Sequence, residues 1–276
     1  MNRLDETNRT AVVAALVEGC SIRSTVRMTG VSKNTISKLL VELGAACSDY
    51  LDKHLVNLNS KRIQCDEIWS FVGAKDKNIP TARKDELGIG SAWTWAAIDA
   101  DSKLICSWLV GKRDPGCATE FIQDLAGRLR NRVQLTTDGL KCYLTAVPDG
   151  FGSDIDYAML VKIYGNDPEG EKRYSPAVCT GCKKQTKIGD PDEKHVSTSY
   201  IERQNLTMRM AMRRFTRLTN AFSKKIEHHV AAIALHYMYY NYCRIHQTLR
   251  VTPAMEAGIS NHVWSIEEVI SLLDKS

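Results

Sequence analysis

The chain has 276 residues, 43% of them hydrophobic and 25% charged, with a formal charge of +5. That is enough length for one large core or two unequal domains, with the composition of an ordinary globular protein. The start, MNRLDETNRT, is unlike a signal peptide, and no apolar run reaches the ~18 residues a membrane span needs. Nine scattered cysteines, an odd number, point to reduced thiols in a cytoplasm rather than to a disulfide framework.

Residues 8–57 read as helices only. Within IRSTVRMTGVSKNTISKLLVEL the layout is that of a helix-turn-helix. Ile22 and Val26 face inward, Gly30 makes the turn, Ser32 caps the second helix, and Ile36, Leu39 and Leu40 are its apolar positions. That second helix offers Lys33, Asn34, Thr35, Ser37 and Lys38 to a DNA major groove. A plain helical hairpin is the competing reading. Residues 21–40 carry four Lys/Arg and no acid.

Strand texture begins after a polar connection. IQCDEIWSFV, SAWTWAAIDA and KLICSWLVG read as strands, with a hairpin turn at Asp99, Asp101 and Ser102. CATEFIQDLAGRLR reads as an amphipathic helix, RVQLTTDG as a strand, and DYAMLVKIY as another beyond a further helix. The order predicts an α/β fold with one mixed sheet. Residues 165–196, rich in Gly, Pro and charge, read as a long loop. Helices are expected near 199–217 and 222–245, and a short one at 265–273.

The charge is unevenly placed. From Arg203 to Arg250 there are nine Lys/Arg and one acid, Glu227, so this stretch is +8 while the remainder of the chain is −3. A basic stripe of this density implies a polyanion partner. Just before it stands a single acid, Glu202. It would lie in the first turn of a helix, with Asp66 in the first strand and Asp138 at the end of a later one. Three carboxylates on separate elements can converge at one sheet edge. Two carboxylates at ~4 Å repel by about 4 kcal/mol at an effective dielectric of 20, so such a group asks for a cation. Carboxylates and water suit Mg²⁺, and acid-bridged divalent ions perform in-line phosphoryl transfer. Taken singly, each acid has a structural reading too. SYIE is a capping box with Ser199 as N-cap and Glu202 reaching back; Asp138-Gly139 could be a turn; Asp66 could be a strand-edge charge, with Glu67 competing for its role. On a helical wheel Glu202, Arg209, Arg213 and Thr216 share one side. Cys179 and Cys182 form a lone CxxC; zinc would need two more ligands, His195 is one candidate, and a surface thiol pair is the expectation. His228, His229 and His236 read as packing or surface residues, and Trp69, Trp93, Trp95 and Trp108 as core or sheet surface.

Three blocks, DEIWSFVGAK (66–75), TTDGLKCY (136–143) and YIERQNLTMR with the following LTNAFSKKIE, resemble the DDE-type insertion-sequence transposases with an RNase H-like core, closest to the IS-one family. YNYCRIHQTLRVTPAMEAG is also similar to the closing segment of integrase-core proteins. The resemblance implies a helix-turn-helix domain at 1–57, an RNase H-like catalytic domain at 62–258 and a helical tail at 259–276. It implies Asp66, Asp138 and Glu202 as catalytic metal ligands for Mg²⁺, with Mn²⁺ able to substitute, and Arg209 and Arg213 as phosphate contacts. Arg209 stands where lysine is common. Implied partners are the element's terminal repeats, target DNA and further copies of the chain as a dimer or higher multimer, with no membrane, in a bacterial cytoplasm at the nucleoid. Relatives often carry a zinc finger ahead of the helix-turn-helix; Cys20 and Cys47 stand alone here. The alternatives are an RNase H-like nuclease that only hydrolyses and a DNA-binding regulator that keeps the fold without chemistry.

Overall fold

The computed structural model describes residues 4–83, 86, 88–165, 179–216 and 220–274. Three helices come first: α1 Glu6–Val17, α2 Ile22–Thr29 and α3 Lys33–His54. Ser21 and Ser32 cap α2 and α3 by accepting the N–H of Ser24 and Thr35. Gly30 ends α2 at φ 72, a left-handed value that costs glycine little. Ile36, Leu39 and Leu40 are buried, while Lys33, Asn34, Thr35 and Lys38 are exposed and Ser37 is half-buried.

A six-stranded sheet follows: β1 Arg62–Val72, β2 Gly90–Asp99, β3 Ile105–Gly111, β4 Gln134–Thr137, β5 Asp156–Tyr164 and β6 Cys179–Ile188. Its order is β3-β2-β1-β4-β5-β6. The first three strands are antiparallel neighbours, β1, β4 and β5 run parallel, and β6 returns antiparallel to β5. The first five strands have the RNase H-like arrangement expected. The parallel steps are bridged by α4 Pro115–Arg128 and α5 Tyr143–Phe151. These cover the face where Trp95 meets Phe121 and Tyr143. The opposite face carries α6 Ser199–Ala211 and α7 Ile226–Met238, the latter continued by a π turn over Tyr239–Cys243. Two short helices close the chain, α8 Pro253–Glu256 and α9 Ile266–Ser271, the second with a full capping box from Ser265 and Glu268.

The helical segment and the sheet share one continuous buried cluster. α3 lies so close to α7 that a Cβ on Gly44 would stand 2.5 Å from the Cα of Ala231. Among the described residues no helix is long and apolar enough to cross a membrane.

Two expectations change. Part of the 165–196 loop is the strand β6, while 166–178 lie outside the described residues. β6 is an edge strand exposed along most of its length, so it carries no apolar alternation; backbone pairing to β5 defines it. The helices expected at 199–217 and 222–245 are α6, ending at Ala211, and α7, beginning at Ile226. Between them Met212 is extended (φ −127, ψ 103), Arg213–Phe215 form one 3₁₀ turn, and Ser223 bridges Val72 and accepts the N–H of Gly73 at 2.8 Å. A tertiary backbone pairing overrides the helical periodicity here.

Candidate metal centre

β1 and β4 bring two acids together by register alone. Cys65 pairs with Thr137 in the parallel ladder, so the next residues, Asp66 and Asp138, emerge side by side at the same edge. Gln64, two residues before Asp66 and therefore on the same strand face, accepts the N–H groups of Tyr200 and Ile201 at 2.8 and 3.2 Å. These are first-turn amides of α6, which have no partner within the helix. That contact pins the start of α6 over β1 and sets Glu202 at the same edge. One turn on, Asn205 Nδ2 donates to Asp66 Oδ2 at 2.9 Å, and the Glu67 N–H donates to Asp66 Oδ1 at 2.8 Å.

One carboxylate oxygen each of Asp66, Glu67 and Asp138 lies within 4.8 Å of the others. Burial, then the nearby Asp138 charge, pushes Asp66 up to about 6. The same two causes push Glu67 up to about 7. Glu67 is the acid with the fully buried side chain. Arg113, in the β3–α4 connection, donates to its Oε2 at 3.1 Å and approaches Asp138 Oδ2 at 3.8 Å, while stacking over Trp93 at 4.8 Å. Glu67 Oε1 faces the Tyr143 hydroxyl, but both atoms are buried without a well-formed hydrogen bond.

Glu202 is held differently. Lys162 Nζ on β5 lies 2.6 Å from its Oε2, and the Thr198 hydroxyl donates to its Oε1 at 2.5 Å. Its charge still reaches Asp66, where it raises the pKa. Thr198, one residue earlier than expected, is the N-cap of α6, and Glu202 takes that hydroxyl instead of closing a capping box from Ser199.

The donor set fits a hard divalent cation. All the candidate ligands are carboxylate oxygens, two are pushed toward protonation by burial and then by the neighbouring Asp138 charge, and one buried oxygen lacks a well-formed hydrogen bond. The 4.8 Å grouping takes in Asp66, Glu67 and Asp138 and leaves out Glu202, whose two oxygens are engaged by Lys162 and Thr198.

The basic residues do not line up as a ridge. Arg209 is on the last turn of α6, but Arg213 lies beyond the helix end, exposed, on the 3₁₀ turn with Thr216 after it. The wheel fails because Met212 is extended. Cys179 and Cys182 are exposed on β6, and the metal-capable grouping found among the described residues does not include them or His195, which pairs with Asp192. His229 and His236 are buried in α7. Gln64, Asn205, Lys162 and Arg113 were not singled out from sequence. Gln64 and Asn205 were findable, being two and three residues from expected acids on the same strand and helix faces. Lys162 and Arg113 come from distant elements and carried no local signal.

No known family profile matches the chain, and no curated protein does. Among solved structures, the Mos1 transposase paired-end complex with left transposon end matches at 13% identity over 57% of this chain and 59% of that chain, TM-score 0.25. The Mos1 strand transfer complex matches at 14% identity over 54% and 55%, TM-score 0.23. The piggyBac transposase synaptic complex with hairpin DNA matches at 10% identity over 99% and 70%, TM-score 0.42. The chain thus spans under two thirds of the Mos1 chains. At TM-scores this low, none of these similarities carries the assignment below.

Proposed function

We propose that this protein is a DDE-type DNA transposase. It binds the ends of a mobile element, cleaves a phosphodiester to free a 3′-OH, and joins that hydroxyl to target DNA by transesterification. The observation that carries the reading is the side-by-side emergence of Asp66 and Asp138 from parallel strands, with α6 pinned by Gln64 so that Glu202 reaches the same edge. In this reading Asp66, Asp138 and Glu202 hold Mg²⁺. When bound, the metal supplies activation of the attacking oxygen and stabilisation of the leaving one. Asn205 orients Asp66 through its amide. Lys162, held beside Glu202, puts a positive charge where the phosphate backbone must approach. Lys33, Asn34, Thr35, Ser37 and Lys38 recognise the end sequence, and Arg209 and Arg213 hold phosphates. Joining exchanges one phosphodiester for another, with the target strand's 3′-oxygen leaving and taking up a proton.

The test is Mg²⁺-dependent nicking and joining of linear DNA carrying the repeats that flank the gene. Asp66→Asn, Asp138→Asn and Glu202→Gln should each lower both steps at least a hundredfold while DNA affinity persists. Wild-type rates in any one of them would remove that residue from the site. Nicking without joining in the native protein would leave a nuclease.

A second assignment exchanges Glu202 for Glu67, favoured by the 4.8 Å grouping. Full activity in Glu202→Gln together with loss in Glu67→Gln would select it.

A further inference from the structure

A cavity of about 950 Å³ opens between α2–α3 and the segment joining α6 to α7, at the opposite end of α6 from the acids. Six of its lining residues are Arg23, Lys33, Arg213, Arg214, Lys224 and Lys225, and no Asp or Glu lines it among the described residues. Lys225 also reaches Glu227 at 3.4 Å, but like charges crowded around one hollow repel, and an anion between them relieves the arrangement. Lys33 also opens the first turn of α3, whose N-terminal amides add positive potential.

Arg214 is the residue that makes this a built site. It is largely buried, and no carboxylate among the described residues pairs with it. Desolvation alone draws its pKa down to about 10, the mark of a cation lacking its counter-charge. Its Nη1 donates to Ser223 Oγ at 2.7 Å. Ser223 in turn donates to His229 Nδ1, His229 Nε2 to Ser70 Oγ, and Ser70 to the carbonyl of Ala92, each at 2.9 Å. This chain runs into the middle of the sheet and fixes the guanidinium in place before any ligand arrives. A second polar atom at the same cavity, His236 Nε2, is buried with no hydrogen-bond partner.

The wall on the other side belongs to the helix-turn-helix. Ser37 lines this cavity and also the adjoining hollow, where Asn34 and Lys38 meet Glu227 and His228 of α7. Anything lying along the exposed start of α3 therefore meets the α6–α7 connection as well.

We propose that this cleft seats a stretch of DNA phosphodiester backbone, with Arg214 as its buried anchor, so that the helix-turn-helix and the sheet domain grip the same duplex. Six cations, the positive end of the Ser32-capped helix α3 and a pre-oriented guanidinium match a row of phosphates. The proposal rests on the transposase reading and adds residues that reading does not use: Arg23, Arg214, Lys224 and Lys225.

The test is a salt titration of duplex affinity by fluorescence anisotropy in EDTA, which removes catalysis from the readout. Two variants are used. Lys224→Ala/Lys225→Ala changes exposed positions that leave the fold intact, and Arg214→Gln removes the anchor. The double variant should flatten the slope of log affinity against log salt by nearly two units, about 0.9 for each phosphate contact. Arg214→Gln should weaken binding at least tenfold. Unchanged slope and affinity in both variants, with the wild type still binding DNA, would overturn the cleft alone. No salt-sensitive DNA binding by the wild type would overturn the transposase reading itself. A third arm adds inorganic phosphate. If phosphate raises the wild-type melting temperature through Arg214 while both variants bind DNA as the wild type does, the cleft takes a small anion and the proposal fails.

Discussion

Lys162 Nζ lies 2.6 Å from Glu202 Oε2, joining the edge of β5 to the first turn of α6 across the acid cluster. With the Thr198 hydroxyl on the other oxygen, both Glu202 oxygens are already engaged. A metal ion drawing on Glu202 must compete with an ammonium group. Both partners are about a third exposed, so solvent screening limits the pair to roughly 0.2–1 kcal/mol. Lys162→Ala should therefore tighten Mg²⁺ binding by no more than about fivefold, read as the midpoint of a Mg²⁺-dependent melting curve. It should weaken DNA binding at the same time. An unchanged or weaker Mg²⁺ midpoint would show that Lys162 does not occupy the ion's place.

Arg113 is the neighbour of a buried acid. Glu67 is raised above its usual range to about 7, so its carboxylate costs stability progressively as pH climbs from about 4.5 through 7. Arg113 offsets that cost only when Glu67 is charged. Arg113 is itself more than a third exposed, which trims the interaction to about 1 kcal/mol. Arg113→Ala should then destabilise the metal-free protein by about 1 kcal/mol more at pH 8 than at pH 5. Urea denaturation at the two pH values measures it, and adding Glu67→Gln should erase the difference.

The buried histidines act in the opposite sense. Burial draws His229 and His236 down from 6.5 to about 4. A histidine held neutral by the fold gives full stability above pH 6.5 and loses it as pH falls toward 4. At pH 5 each should cost roughly 2 kcal/mol relative to pH 7.5. His236→Leu, which also removes a buried nitrogen without a partner, should lose about 2 kcal/mol less over this range than the wild type. Parallel urea curves would show that His236 is not a source of acid sensitivity.

Gly44 has no room for a side chain, because Ala231 fills the space its Cβ would take. Gly44→Val should push α3 from α7 and cost about 3 kcal/mol, at the upper end of what overpacking costs. Calorimetry should show one lowered transition. Two separate transitions would mean that the N-terminal helices melt independently of the sheet.

Much of this architecture is legible in the sequence. β1 through β5 announce themselves as apolar and β-branched runs, since the central strands are buried on both faces, and α4 by the amphipathic spacing of its one buried side. Gly30 and Ser32 mark the turn between α2 and α3 for reasons of local backbone geometry. β6 could not be read, since an exposed edge strand such as CTGCKKQTKI is defined by its partner and not by its own pattern. A break between the two helices is expected from sequence, but not its extent: α6 stops at Ala211 and α7 starts only at Ile226, because Ser223 pairs with Val72 instead of joining the helix. Asp66, Asp138 and Glu202 were readable as candidates from their place on the elements and from the family resemblance. What surrounds them was not. Lys162 reaches the acids from another strand and Arg113 from the β3–α4 connection, and no spacing within one element reports a contact made between elements.

The close seat of Gly44 on Ala231 has one more consequence. On the proposed reading, the helix offered to DNA bases and the acids offered to its backbone are built into one packed block. They are spaced by α6, whose 13 residues extend roughly 20 Å. On the proposed reading such a block behaves as a ruler. Inserting two or three base pairs between the recognised sequence and the element tip should move the cut by the same number, since the helices and the sheet share one core among the described residues.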